Sequence, residues 1–146
     1  MTNLEAYLGQ NGFRRIELTK NGVGHFQTDG QLDGHRLSVL VDTGAGATVI
    51  SLAKVRELGL EIEKMSTTGG GAGGVTLEVF RLQGAEFMLG ELTPRVQQLL
   101  AMDFGHINDG LACKGCEPVD AILGADVFES QSAVIDYGSS SLFLKE

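Results

Sequence analysis

The segment Ser38–Ser51, SVLVDTGAGATVIS, places an acid at the point where one apolar run ends and another is about to begin. Leu37, Val39 and Val41 alternate with Arg36, Ser38 and Leu40, which is the period of a strand with one face turned to a core. Asp42 follows at once, and small residues lead from it into Val49–Ile50. A carboxylate buried there, ionised and unpaired, costs several kcal/mol. The fold must therefore bring two strands together around a short loop that compensates Asp42 or puts it to use.

The rest of the chain reads as short strands punctuated by glycine. There are 21 Gly and only 2 Pro in 146 residues, enough for many tight turns in one domain able to bury a core unaided. Ile16 and Leu18 mark a first strand and residues 24–32 a second. Asp33-Gly34 supplies the two positive-φ positions of a tight hairpin, and the strand ending at Asp42 returns from it. In SLAKVRELG, Ser51 is placed to cap a helix and Gly59 to close it; TNLEAYL suits a short helical turn. Residues 75–82 and 85–92 read as strands on either side of Gln83-Gly84. The run 104–118 shows no periodicity and reads as a loop insertion. In VDAILGADVFES, from Val119, an apolar strand ends at Gly124, 125–129 is a single helical turn, and the last two strands are joined by YGSSS. The expected class is all-β and mainly antiparallel, a closed, barrel-like sheet with one or two short helices, in a single domain over 1–146. Residues 1–23 form its N-terminal extension and first strand.

The net charge of −8 and pI near 4.8 argue against a nucleic-acid partner, because a phosphate backbone demands clustered Lys and Arg. No apolar run is long enough to span a bilayer, so no membrane partner is expected. The first fifteen residues lack the basic, apolar and small-residue order of a signal peptide. A cytoplasmic protein is the expectation, or a periplasmic or secreted one had a leader been removed.

Asp42-Thr43-Gly44-Ala45 after an apolar strand, the glycine-rich TTGGGAGG at 67–74, and AILGAD at 121–126 occur in that order. Together they resemble the retropepsin-like aspartic proteases, particularly the single-domain cellular and bacterial members, over roughly residues 24–145. The resemblance implies that Asp42 is the catalytic acid, supported by Thr43, Gly44 and Ala45. It makes Thr68, Gly69, Gly70, Gly71, Ala72, Gly73 and Gly74 a flap over the substrate. Ile122, Leu123 and Gly124 would pack beside the catalytic loop, and residues 95–103 would be strand. The implied activity is an aspartic endopeptidase, with polypeptide as substrate and neither metal nor cofactor required.

Such chemistry needs two carboxylates close enough to share one proton, one acting as base toward a water and the other as acid toward the scissile carbonyl. The chain has a single Asp-Thr-Gly. Asp120, Asp126 and Asp136 are not followed by Thr-Gly or Ser-Gly, so a homodimer with Asp42 from each copy is the economical source of the pair. Ala125 stands where retroviral relatives carry a basic residue that supports the dimer, which implies a dimer held differently. Two other readings remain: Asp-Thr-Gly as an ordinary turn whose Asp caps nearby N–H groups, and a dimeric peptide-binding or assembly module with weak or no catalysis. Apolar residues around Ile50, 75–80 and 119–123 are expected to wall the subsites.

TTGGGAGG also invites a phosphate-binding reading, but it lacks the Lys and Ser/Thr of a phosphate loop and precedes a strand. Cys113 and Cys116 admit three readings: incidental thiols, a local disulfide, or half of a metal site completed by His106, Asp109 or a partner chain. His25, His35 and His106 share no ligand spacing.

Overall fold

The computed structural model describes residues 3–70 and 76–146. The chain runs α1 (Leu4–Gln10), β1 (Phe13–Glu17), β2 (Thr19–Lys20), β3 (Phe26–Leu32), β4 (His35–Val41), β5 (Val49–Ser51), α2 (Leu52–Glu57), β6 (Ile62–Gly70) and β7 (Thr76–Leu82). It continues with β8 (Phe87–Met88), β9 (Leu100–Met102), α3 (Gly105–Cys113), β10 (Ala121–Leu123), α4 (Ala125–Ser130), β11 (Val134–Asp136) and β12 (Ser141–Lys145). Among the described residues no helix is long and apolar enough to cross a membrane.

The strands form two sheets. One has the order β1-β12-β11; the other runs β2-β3-β4-β10-β5-β9-β7-β6, with β8 bonded to β3 beside that path. The end strands β2 and β6 share no ladder, so the large sheet stays open and the expected closed barrel is corrected. Its pairing is also mixed: β10 lies parallel to β4, and β5 parallel to β9. Among the described residues four short helices stand where one or two were expected.

Local chemistry accounts for most boundaries. The β3–β4 hairpin turns on Asp33 and Gly34, both at positive φ (49° and 82°), as the Asp-Gly signal required. Helix α2 ends at Gly59, φ 69°, whose N–H donates to the Arg56 carbonyl. Ser51 makes no side-chain cap; it is the last residue of β5, and its N–H donates to the Asp120 carbonyl at 2.7 Å. The segment after Gln83-Gly84 contributes only the two-residue β8, which pairs with β3 rather than back onto β7.

The 104–118 loop insertion is also corrected, because most of it is α3. Phe104, Ile107 and Leu111 lie at helical spacing and pack with Leu40, Val49, Val119 and Ile122. These seven, with Val23, Ala45, Leu100, Met102 and Cys116, form a satellite core on one face of β4 and β10. The main core, with Leu37, Val39, Ala121 and Leu123, covers the other. Both faces of these central strands are buried, which is why Leu40 is apolar although it breaks the expected alternation. Residues 95–99 are irregular, and only Leu100–Met102 become strand. Buried Gln131 holds that irregular stretch: its Oε1 accepts from Arg95 N–H at 2.7 Å and its Nε2 donates to the Lys145 carbonyl at 3.1 Å.

Candidate active site

Asp42 follows the last residue of β4, at the end of the parallel β4–β10 pair whose register is Val39 to Ala121, Leu40 to Ile122 and Val41 to Leu123. Its N–H extends the ladder to the Leu123 carbonyl at 3.1 Å. The chain then turns sharply. Gly44 N–H donates to Asp42 Oδ1 at 2.9 Å, and Ala45 N–H to the Asp42 carbonyl at 3.2 Å. A Cβ on Gly44 would sit 3.2 Å from that same Oδ1, a contact for which the carboxylate would have to give. Asp42 is half-buried, Thr43 exposed and Ala45 half-buried.

The loop is clamped from the opposite side by the turn after β10. Ala125 N–H donates to the Ala45 carbonyl at 2.7 Å. A Cβ on Gly124 would lie 2.7 Å from the Ala47 carbonyl oxygen and 2.8 Å from that of Ala45, so only glycine fits. The clamp has a polar centre that the sequence reading passed over. Thr48, fully buried, accepts from Gly124 N–H at 3.0 Å and donates to Asp126 Oδ1 at 2.7 Å. Asp126 Oδ1 in turn accepts Val127 N–H at 2.9 Å, starting α4. Thr48 therefore ties the strand leaving the Asp42 loop to the Gly124 turn, and an apolar-flanked Thr six residues beyond the acid was its only trace in sequence. Ile122 and Leu123 are buried residues of β10, and the Leu123 carbonyl accepts the Asp42 N–H.

The other carboxylates considered as partners for Asp42 are engaged in structure. Asp120 Oδ2 accepts Ser38 N–H, Asp126 serves the Thr48 clamp, and Asp136 organises the turn before β12. The Ser139 hydroxyl at 2.6 Å does most to hold the Asp136 carboxyl below its ordinary range, burial opposes it, and the Gly138 and Ser139 N–H groups assist. Among the described residues Asp42 forms no ion pair.

Beside Asp42 lies a recess of about 230 Å³ whose lining includes His25, Phe26, Val41, Thr43, Ile135 and Tyr137. The Tyr137 ring, 69% exposed, rests on Phe26 with centroids 4.7 Å apart, and Lys20 Nζ lies 5.5–5.6 Å from both rings. Several of the side chains expected as subsite walls are placed otherwise, although Thr76, Leu77 and Glu78 stay exposed or half-buried. Ile50, Phe80, Val119, Ala121 and Leu123 are all buried in the core of the chain, and the exposed apolar surface at Asp42 is Tyr137. Val75 of that expectation lies outside the described residues.

The described part of the glycine-rich segment, residues 67–70, ends β6, which pairs with β7. Thr68 pairs with Glu78, Gly69 with Leu77 and Gly70 with Thr76, and the register shifts between Lys64 and Thr68. Gly71, Ala72, Gly73 and Gly74 lie outside the described residues. Cys113 is exposed and Cys116 half-buried, both as free thiols. No three His, Cys, Asp or Glu side chains gather into a cation site among the described residues.

Residues 28–127, spanning the Asp42 loop, the hairpin and the Gly124 clamp, match the family model described as aspartyl protease. The chain belongs to the aspartyl protease family. Its solved neighbours carry the retropepsin-like fold. The EIAV protease, solved with a bound inhibitor, is 26% identical with a TM-score of 0.51, covering 71% of this chain and 85% of that one. A retropepsin-like aspartic protease from Rickettsia conorii is 16% identical with a TM-score of 0.54, covering 91% and 90%. The retroviral protease-like domain of Ddi1 from Leishmania major is 14% identical with a TM-score of 0.54, covering 81% and 86%. No curated protein matches the chain at a significant level.

Proposed function

We propose that this protein is an aspartic endopeptidase that acts as a homodimer, each copy contributing Asp42 to one shared site. The observation that carries the reading is the clamped Asp42 loop: Gly44 N–H holds one carboxylate oxygen at 2.9 Å, while the side chain remains only half-buried. A carboxylate fixed by one oxygen and open at the other is oriented for a second carboxylate to approach. Two such groups close together cannot both ionise, so the pair holds one proton. The ionised member takes a proton from a water between them, the water oxygen attacks the scissile carbonyl carbon, and the protonated member donates to the carbonyl oxygen. The commitment of Asp120, Asp126 and Asp136 elsewhere supports a second chain as the source of the partner acid.

The β6–β7 hairpin is the flap in this reading, covering an extended substrate and offering it backbone hydrogen bonds. Exposed Thr43 is the loop hydroxyl that bonds across the twofold axis.

Cleavage of a fluorogenic peptide library at mildly acidic and neutral pH, with and without a pepsin-type inhibitor, tests the activity. Asp42→Asn is expected to lower hydrolysis at least ~1,000-fold. Its sedimentation as a dimer should be unchanged. Full hydrolysis by Asp42→Asn would end the reading, and peptide binding by wild type without turnover would favour the binding module.

A further inference from the structure

A groove of about 930 Å³ is lined by none of the residues that line the Asp42 recess. One wall consists of Arg14, Arg15, Ile16 and Glu17, four consecutive residues of β1. A strand seen face-on presents every second residue, so four in a row mean that the groove runs along the strand's edge.

That edge is unpaired. Strand β1 is an outer strand of its sheet and, among the described residues, pairs with no strand but β12. Leu18 N–H donates to the Ser140 carbonyl and Glu146 N–H to the Gly12 carbonyl. By the alternation of an antiparallel ladder, Arg14 and Ile16 also bond toward β12, and Phe13, Arg15 and Glu17 turn their N–H and C=O groups outward. The Glu17 carbonyl accepts the Thr28 hydroxyl at 3.0 Å, which closes that end of the groove. The facing wall is β3 where it has lost its neighbours. On this side β3 bonds β2 at Phe26 and Gln27, and β8 at Gln31 and Leu32, leaving residues 28–30 without a strand. Ile16, Leu89 and Leu92 supply the apolar floor.

The charge of the groove has a sign. Five carboxylates and three arginines line it. Arg36 is held on Asp29 at 2.9 Å, Arg14 on Glu146 and Glu91 at 2.9 and 3.6 Å, and Arg15 Nε donates to Ser141 Oγ at 2.7 Å. Glu17 and Glu117, both exposed, pair with no cation among the described residues. Arg15 in turn meets no carboxylate among the described residues, so two acids without a cation stand against one guanidinium without an acid, and the lining as a whole, five carboxylates to three arginines, is negative in a chain that carries −8 overall.

We propose that this groove is an exosite, in which an extended, basic segment of the polypeptide substrate adds to β1 as a further strand. The inference rests on the endopeptidase reading for the identity of its occupant. An open strand edge gives main-chain hydrogen bonds to any extended peptide, and the unpaired acids select for Lys or Arg.

The test uses the full chain carrying Asp42→Asn, so that nothing is cut, and a fluorescein-labelled decapeptide of alternating Lys and Thr against one of alternating Glu and Thr. The basic probe is expected to bind at least tenfold more tightly, to slow amide exchange at Phe13, Arg15 and Glu17, and to lose affinity about fivefold or more in Glu17→Lys/Glu117→Lys. Equal binding of the two probes, or exchange protection away from β1, would overturn the proposal. With wild-type protein, a Lys-Thr extension on a short cleavable peptide should lower KM and leave kcat unchanged. If the short peptide is cut and the extension changes nothing, the exosite fails and the endopeptidase stands. If the basic probe binds β1 but no peptide is ever cut, the endopeptidase reading falls, and the assignment of a substrate segment to the groove falls with it.

Discussion

Glycine does opposite things in the two regions that the motif sequence brings together. At Gly124 it is a packing requirement: two backbone carbonyls lie within 2.8 Å of where a Cβ would be, and a carbonyl oxygen in a bonded loop has no room to retreat. In the β6–β7 hairpin the described Gly69 is equally crowded on paper, with a Cβ 2.5 Å from Met102 Cε, yet the obstacle is the tip of a flexible side chain. The Asp42 loop is fixed by main-chain bonds and a buried Thr48. The hairpin is held by its own ladder, by the pairing of β7 with β9 at its base, and by exposed ion pairs, Lys64 with Glu78 and Arg81 with Glu63. The difference lies in what surrounds each glycine rather than in glycine itself, and the proposed hydrolysis would draw on both, a fixed carboxylate and a more yielding hairpin.

The largest effect that would break this contrast is at Gly124. Gly124→Ala is expected to destabilise the fold by about 3 kcal/mol or more, a drop in Tm of roughly 6–12 °C for a chain of this size. A Tm near wild type in differential scanning calorimetry would mean the clamp yields. Thr48→Val keeps the volume but leaves Gly124 N–H without its acceptor; urea unfolding should show a loss of about 1–3 kcal/mol. Gly69→Ala should stay within about 1 kcal/mol of wild type, because Met102 can swing aside. If it matches Gly124→Ala instead, the hairpin is as tightly packed as the loop.

The smallest effect concerns the hairpin's ion pair. The Arg81 guanidinium, by hydrogen bond first and by charge second, holds the Glu63 carboxyl below its ordinary range, burial opposes it, and Gln83 assists. A depressed carboxyl favours the folded state above its ordinary range, and the contribution disappears as pH falls through the lowered folded value. Arg81→Gln should therefore move the Glu63 titration, followed by carboxyl-carbon NMR, back up toward the usual Glu value. Because the pair is exposed, the unfolding midpoint at neutral pH should barely change. A large shift in that midpoint would show that the pair, rather than the ladder, secures the hairpin.

Much of this was legible in the chain because it depends on near neighbours. Asp33-Gly34 demanded its turn, Gly59 closed its helix, and the apolar strand into Asp42-Thr43-Gly44 marked the acid and the family. Helix α3 was masked by the glycines and polar residues between Phe104, Ile107 and Leu111. Three further features were not legible: the open sheet, the role of Thr48, and the burial of Ile50, Phe80 and Leu123. Each depends on which distant segment lies opposite, and a buried threonine that bonds a glycine 76 residues away leaves no periodic trace.

The sequence by itself determined that a carboxylate ends an apolar strand in a glycine-framed loop, because strand period, turn chemistry and the cost of an unpaired acid all act over a few residues. Only the tertiary structure decided that Gly124 and Thr48 lock that loop, that Asp120, Asp126 and Asp136 are taken by other partners, and that β1 leaves an edge open on an acidic groove. These depend on how strands far apart in the chain come to lie side by side, where a few tenths of an ångström settle which atoms can touch.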